Sequence, residues 1–433
     1  MKIRYLTEGD REKSAFCAAE AFGGRVTSED FEEKPYKMLG AFAENGDLAA
    51  QFEINENENN FHSSLLKCLE IEGVASRAQY RGQGMVRGLF EYLFNENKGT
   101  DIPSNECVGA DIPSNEDTVA DIPSNECVGA DIPSNEDTVA DIPSNEDTEA
   151  DISILYPCST ALYSKFGYVS AGRYLRLEMP FIALKAEKQE GFAKVVTKEN
   201  ACFLVDLYSR LSQNYNLSFV RNDESTFDIN PFYTENYTYM WFSPEDNSPH
   251  SYASFTIDRG SDRLLVKEIM FSSKPALSGI LSFIKNYGAN LSTLVFMKLP
   301  VNAPIMNFVS DENKAKISVG NIGSVRVLDF RSVLKKINYG GRAEFILKIT
   351  DDIIKNNSGT FSVKFSGGEC EIKKSENEPD FILNQNAMSK IFLTGLTEYE
   401  SEYIDGFEII NKEKKREFLL VFGKNDAFFI SGT

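Results

Sequence analysis

Apolar residues recur along this chain with two periods, and the switch between them outlines its elements. Residues 66–76 (Leu-Lys-Cys-Leu-Glu-Ile-Glu-Gly-Val-Ala-Ser) are mostly apolar at one parity and predict a strand. Soon after, Met85, Val86, Leu89, Phe90, Leu93 and Phe94 fall on one stripe at helical spacing and predict an amphipathic helix. Residues 153–157 read as a short apolar strand stopped by Pro157. A second set follows: a helix over 201–214, strands over 237–242, 252–257 and 264–271, a helix over 275–287 and a strand over 293–299. Its strand order repeats that of the first set. A third set opens with a short helix over 330–337. It continues with alternating strands over 343–350, 359–365 and 369–373, a helical stretch near 384–394, and apolar runs at 418–422 and 426–433.

The turn between the first strand and its helix carries the chemistry. Gln79-x-x-Gly82-x-Gly84 leads straight into the apolar stripe. Glycines there bare backbone N–H groups at a helix N-terminus, where the open donors and the helix dipole favour an anion. A dinucleotide site wants G-x-G-x-x-G and an acidic residue about 20 positions on. The spacing of Gly88 does not supply it, and the following stretch is a repeat. The plain alternative is an ordinary tight turn. In the second set, Ser272-Ser273-Lys274-Pro275 occupies the matching place and offers no row of open amides.

Residues 101–150 are five tandem ten-residue units, from DIPSNECVGA to DIPSNEDTEA, the first four forming two identical blocks. Each has one proline and few large apolar residues, so ordering it would cost more entropy than its burial returns. It reads as an expanded, disordered surface loop, with a binding tail or a small solenoid as the functional alternatives. Its 14 acidic residues and lack of Lys or Arg account for most of the net charge of −20, leaving the remainder near −6. An acidic chain lacks the basic footprint of a nucleic-acid binder and draws cationic partners such as amines. The start, Met1-Lys2-Ile3-Arg4-Tyr5, reads as a first strand rather than a leader, and no apolar run reaches the length of a membrane span. Seven scattered cysteines without a C-x-x-C suggest neither a disulfide framework nor a metal site and fit the cytoplasm.

After the repeat comes Tyr163-Ser164-Lys165-Phe166-Gly167-Tyr168. With the Gln79–Gly84 turn, it resembles the acetyl-CoA cradle and the final-strand turn of the GNAT N-acetyltransferases. Adding a second such unit without a cradle and a third pattern that resembles a sterol-carrier-protein domain, entered near 325–330, the chain resembles the enhanced-intracellular-survival (Eis) family. That resemblance covers everything but 101–150. It implies an α/β (α+β) fold: two tandem GNAT folds, each a mixed sheet flanked by helices, followed by a sterol-carrier-like domain. The expected boundaries are 1–180, 190–320 and 323–433, with 101–150 inserted in the first domain.

The resemblance also implies the site. Acetyl-CoA is the co-substrate, with no metal. Val74, Ala75 and Ser76 would meet it along a strand edge, and Arg81, Gly82, Gln83, Gly84, Met85 and Val86 around the pyrophosphate. Ser159 or Cys158 would stand near the thiol. Tyr163 would act as general acid, and the terminal carboxylate of Thr433 as general base. Family chains often end in a bulky aromatic residue, whereas this one ends Ile430-Ser431-Gly432-Thr433. His62, before the cofactor strand, is a weaker candidate base. The acceptor would be a small primary amine (an aminoglycoside, a polyamine or a lysine side chain), and the assembly a homo-oligomer, trimer or hexamer. The rival reading is a non-catalytic CoA- or lipid-binding scaffold with a vestigial transferase unit, in which the cradle would be degenerate.

Overall fold

Three sheets follow one another along the chain, and two strands join a sheet outside their own stretch. The computed structural model describes residues 1–23, 37–96, 150–227, 229, 235–425 and 427–430. The repeat over 101–149 and Thr433 lie outside the described residues.

The first stretch supplies β1 (Lys2–Tyr5), α1 (Arg11–Phe22), β2 (Lys37–Phe42), β3 (Leu48–Phe61), β4 (Ser64–Ser76) and α2 (Met85–Glu96). After the insertion come β5 (Ile152–Leu155), α3 (Thr160–Tyr163), β6 (Val169–Ser170) and β7 (Arg173–Pro180). The predicted stripe of α2 is its buried side: Leu89, Phe90, Leu93 and Phe94 pack on Leu39, Ala41, Phe52 and Ile54 from the sheet. Burial of four such side chains contributes on the order of 1.5–3 kcal/mol each and holds the helix on the sheet.

The second stretch runs β8 (Phe192–Val195), α4 (Ala201–Ser212), β9 (Asn236–Phe242), β10 (Pro249–Asp258), β11 (Arg263–Phe271), α5 (Lys274–Lys285), β12 (Thr293–Pro300) and β13 (Lys316–Asn321). The third runs β14 (Ser324–Val327), α6 (Phe330–Lys335), β15 (Arg342–Thr350), β16 (Gly359–Ser366), β17 (Glu369–Lys374), β18 (Phe381–Asn384), α7 (Gln385–Thr394), β19 (Phe407–Ile409) and α8 (Lys415–Val421).

The sheet orders are β1-β2-β3-β4-β5-β14-β6, β13-β7-β12-β11-β10-β9-β8 and β17-β16-β15-β18-β19. The first two match strand for strand, with the parallel pair β4–β5 answering the parallel pair β11–β12. Strand β7, expected within 1–180, lies in the second sheet between β12 and β13. Strand β14, expected at the entry to the third domain, lies in the first sheet between β5 and β6. The sheets therefore do not respect a cut at 180 or at 323. Four buried residues of Ser-Val-Arg-Val carry no local mark of which sheet they join, because pairing is decided by residues about 170 positions away. In the third sheet the predicted alternation holds: Ala343, Phe345, Leu347 and Ile349 point inward, as do Phe361, Val363 and Phe365. The interior of this domain is filled by phenylalanine rings. Phe418 lies 4.2 Å from Phe381 and 4.6 Å from Phe422, and Phe392 lies 5.1 Å from Phe422, measured between centroids.

Candidate active site

The site begins with an irregularity in β4. Opposite β3, Gln51 pairs with Ala75 and Glu53 with Glu72, so β4 holds one residue more than its partner over that interval. The extra residue is a bulge at Gly73–Val74, which bends the strand. Gly73 has φ +56°, the left-handed region that favours glycine. Beyond the bulge β4 parts from β5. Their parallel pairing ends at Ile71–Leu155, where β5 stops before Tyr156 and Pro157. On the side where β5 has left, the edge over Val74, Ala75 and Ser76 has no strand partner among the described residues.

The chain then turns through the glycine loop. Gly82 and Gly84 both have φ +80°, and a Cβ placed on either would meet no described residue within 4 Å. The Arg81 amide bonds back to Ala78 at 3.3 Å and the Gln83 amide to Tyr80 at 3.4 Å, which curls the loop. The Gln83 side chain closes it, donating to the Gln79 carbonyl at 2.9 Å. The exposed Arg81 donates through Nε to the Ser76 carbonyl at 3.4 Å. Helix α2 starts at Met85, and the amides of its first turn have no partner inside the helix. Loop, amides and exposed guanidinium together present donors and positive charge suited to an anion. The loop is braced from α1: Glu20 accepts the Ala78 amide at 2.7 Å and pairs with Arg77 at 3.1 Å.

Tyr163 ends α3 and is 4% exposed. Its ring meets those of Phe90 and Tyr168, each at a centroid distance of 6.2 Å. Met85, Val86 and Val74 pack against the same hydrophobic cluster that contains Tyr163, so strand edge, helix start and tyrosine turn border one core. Burial, then the neighbouring Cys158, pushes the Tyr163 phenol well above its ordinary value, so it stays protonated. Ser159 is the N-cap of α3 and accepts the Leu162 amide at 3.3 Å, while Cys158 beside it is exposed. Tyr168 is fixed differently. Its hydroxyl meets Ser153 Oγ at 2.6 Å, and Ser153 in turn donates to the Leu69 carbonyl at 2.7 Å.

The opposite face of the first sheet holds residues that the sequence pattern did not single out. Glu53 and Glu72 are directly opposed across the strands, and Glu70 lies two positions along on the same face. Asn57 donates to Glu70 Oε2 at 2.7 Å and Asn55 to Glu72 at 3.3 Å. Glu70 is 6% exposed, and its Oε1 has no hydrogen-bond partner among the described residues. Burial, followed by the charge of Glu72, raises its carboxyl to about 7, against the opposing pull of Asn57 and Arg221. The signal in the sequence was Glu-Ile-Glu just before the glycine, which reads locally as the wet side of a half-buried strand.

The chain end arrives at this face. Phe429 packs on Tyr156 at 6.1 Å and on Phe219 at 5.8 Å. Arg221, paired with Glu268 at 3.0 Å, donates to the Ile430 carbonyl at 2.7 Å. Thr433, three residues further, is outside the described residues. His62 sits at the β3–β4 hairpin tip with φ +47°, its ring 4.5 Å from that of Phe61, and burial lowers its pKa. That places it about 30 Å of strand away from Gly73.

In the second domain the loop matching the cradle contains no glycine. Ser273 caps α5 there, its hydroxyl accepting the Ala276 amide at 3.3 Å.

Residues 2–104 match the family model of a GNAT acetyltransferase domain, and residues 330–418 that of a sterol carrier protein domain. No curated protein matches the chain by sequence. Solved structures match it over nearly its full length. A probable N-acyltransferase from Enterococcus faecalis V583 has 13% identity and a TM-score of 0.78, covering 99% of this chain and 98% of its own. A GCN5-related N-acetyltransferase from Anabaena variabilis has 17% identity and a TM-score of 0.77, with 99% of each chain covered. Eis1 from Mycobacterium abscessus has 14% identity and a TM-score of 0.73 over all of both chains. At these identities the likeness is one of fold.

Proposed function

We propose that this GNAT-type acetyltransferase moves an acetyl group from acetyl-CoA to a small primary amine by direct attack. The reading is carried by one observation: an open glycine loop at the start of α2, the strand edge after the β4 bulge and the buried Tyr163 border one hydrophobic core. A vestigial domain would have no reason to keep them together. The amides from Arg81 to Val86 and the Arg81 cation would hold the pyrophosphate. The edge of Val74, Ala75 and Ser76 would align the thioester, with Ser159 nearby. In the transfer the amine first gives up a proton. Its nitrogen then bonds to the acyl carbon, the carbon–sulfur bond breaks, and the departing thiolate takes the proton of Tyr163, while the nitrogen sheds its second proton to become the neutral amide and that proton restores the phenol.

Two sources of negative charge would bear on the amine. The resemblance implies the Thr433 carboxylate as base, and the docking of Phe429 and Ile430 against the first sheet supports it. The acidic face of Glu53, Glu70 and Glu72 suits the arriving ammonium. The second domain, with a capped and glycine-free loop, would take no cofactor. Free thiols at Cys17, Cys68, Cys158, Cys202 and Cys370 accord with a cytoplasmic setting. Ile317 and Val319, exposed on the outer strand β13, accord with assembly into trimers or hexamers. The test is a panel of amines with acetyl-CoA, read by free thiol release. Absence of both turnover and calorimetric CoA binding would overturn the reading.

A further inference from the structure

Arg326 is fully buried, and its guanidinium joins two domains. Nη2 donates to both oxygens of Asp351, at 2.9 and 3.0 Å. Nη1 donates to the carbonyl of Phe166, inside the Tyr163 turn. The face of the Phe94 ring lies 4.8 Å from the guanidinium carbon. Asp351 is itself held by the amides of Ile353 and Ile354 at 3.0 and 2.8 Å and by Asn357 at 3.2 Å. Gly167 leaves the space that Nη1 fills, since a Cβ there would collide with it. From α7 of the third domain, Asn386 donates to the Ser164 carbonyl at 3.0 Å, and Lys390 to the Ser170 carbonyl at 3.4 Å.

These contacts fall on carbonyls one, three and seven residues after Tyr163. The turn needs them. Helix α3 has four residues, far too few to hold its own shape. Inside the turn the Gly167 and Tyr168 amides close back at 3.0 and 3.3 Å, and the Ser164 amide caps α3. A buried ion pair is a poor source of stability compared with apolar packing, and its better-attested use is to fix one arrangement. The phenylalanine-filled interior of the third domain leaves its outer polar groups as the part that reaches the transferase turn.

We propose that Tyr163 is positioned by Asn386 of the third domain and by Arg326 of β14, itself held by Asp351 of the third domain, acting as positioning residues on its turn. This rests on the reading of Tyr163 as the acid. A displacement of the order of 1 Å at a reacting group can cost about a hundredfold in rate, so loss of one of two clamps should show in turnover.

The test uses the full chain with Asn386→Ala, Arg326→Lys and Tyr163→Phe, singly and combined, on the fastest acceptor from the amine panel. Asn386→Ala is expected to lower kcat roughly tenfold or more, within that range, while KM for acetyl-CoA and the melting temperature stay near wild type. In the Tyr163→Phe background it should cost nothing further, because its effect passes through the missing hydroxyl. Hydrogen exchange gives a readout without turnover. The Gly167 and Tyr168 amides should exchange faster in Asn386→Ala and in Arg326→Lys, with the β15–β16 amides unchanged. If exchange at the turn is unchanged in both variants, or the loss in Asn386→Ala adds fully to that of Tyr163→Phe, the proposal is overturned. If Tyr163→Phe alone keeps full turnover, it is the reading of the acid that fails, and the exchange data still decide whether the clamp exists.

Discussion

Arg221, from the second domain, donates to the carbonyl of Ile430 at 2.7 Å, and so ties the end of the chain to the face of the first sheet that carries Glu70. The same guanidinium is paired with Glu268 and rests 4.6 Å from the Tyr208 ring, so the tie is rigid. If the terminal carboxylate is the base, adding residues after Thr433 moves it away. A C-terminal tag should then lower kcat at least a hundredfold, and an N-terminal tag should leave it within twofold. Arg221→Met should mimic the C-terminal tag in part. Equal activity of the two tagged proteins would remove the carboxylate from the mechanism.

The cradle makes a separate prediction. A Cβ on Gly84 would meet no described residue within 4 Å, so a side chain there has room, but its φ of +80° adds roughly 1–2 kcal/mol of strain. Gly84→Glu would put a carboxylate where a pyrophosphate is expected. The variant should melt within a few degrees of wild type and show no CoA binding by calorimetry. Binding at wild-type strength would mean that the cradle serves something else.

How much of this was legible in the sequence depended on range. The glycine loop and α2 were visible because Gly82, Gly84 and the Leu89–Phe94 stripe are local signals. Strand β14 was not, because all four residues are buried and the partners that decide its sheet, Ile154 and Val169, are far along the chain. Strand β18 was missed for the same reason: four residues that join Leu347 in parallel carry no pattern of their own. Glu70 was hidden by the opposite fault. Its alternation with Ile71 reads as a solvated face, yet Leu217 and Phe219 cover the same side of the sheet at Leu66 and Cys68. The Tyr163 turn was recognisable as a motif, but the side chains that hold it, Arg326 and Asn386, come from more than 150 residues on.

Glu70 should leave a pH signature with an unusual sign. Its carboxyl is raised to about 7 in the folded chain, against about 4.3 for a free glutamate. The folded state therefore holds the proton more tightly than the unfolded state. No penalty exists below about pH 4. One grows as pH climbs toward 7, where the folded chain must ionise a buried group, and reaches on the order of 3 kcal/mol above that. Glu70→Gln should accordingly raise stability toward urea at pH 8 more than at pH 5. If Glu70 receives the ammonium, kcat/KM should also fall below pH 7 in the wild type, and Glu70→Gln should flatten that limb. Glu53, Glu72 and Arg221 face the same region, so a limb that persists in the variant belongs to one of them.

The repeat can be tested by removal. Each ten-residue unit has too little apolar surface to pack, and residues 96 and 150 flank an insertion between helix α2 and strand β5. Loop closure changes slowly with length, by about 0.6 kcal/mol per doubling. Deleting 101–150 should leave turnover and melting temperature nearly unchanged, as measured by the amine assay and calorimetry. A shift of many degrees would mean that the units pack against the body.

Tyr163→Phe is the sharpest test of the chemistry. The ring contacts with Phe90 and Tyr168 are made by carbon atoms and survive the change, so the melting temperature should stay within a few degrees. Only the hydroxyl goes. Burial holds that hydroxyl protonated well past its ordinary value near 10, which suits a donor to a departing thiolate and predicts no basic limb in kcat up to pH 9. As the acid, its loss should lower kcat by roughly 10²–10⁴ with little change in affinity for acetyl-CoA. The leaving group supplies a second check. A thioester whose thiol is more acidic than that of CoA needs less help from an acid, so the deficit of Tyr163→Phe should shrink with an acetyl thiophenol-type donor that the site accepts. A variant that is equally slow with both donors would place the tyrosine in binding or packing, and one that keeps full turnover with acetyl-CoA would remove it from the reaction.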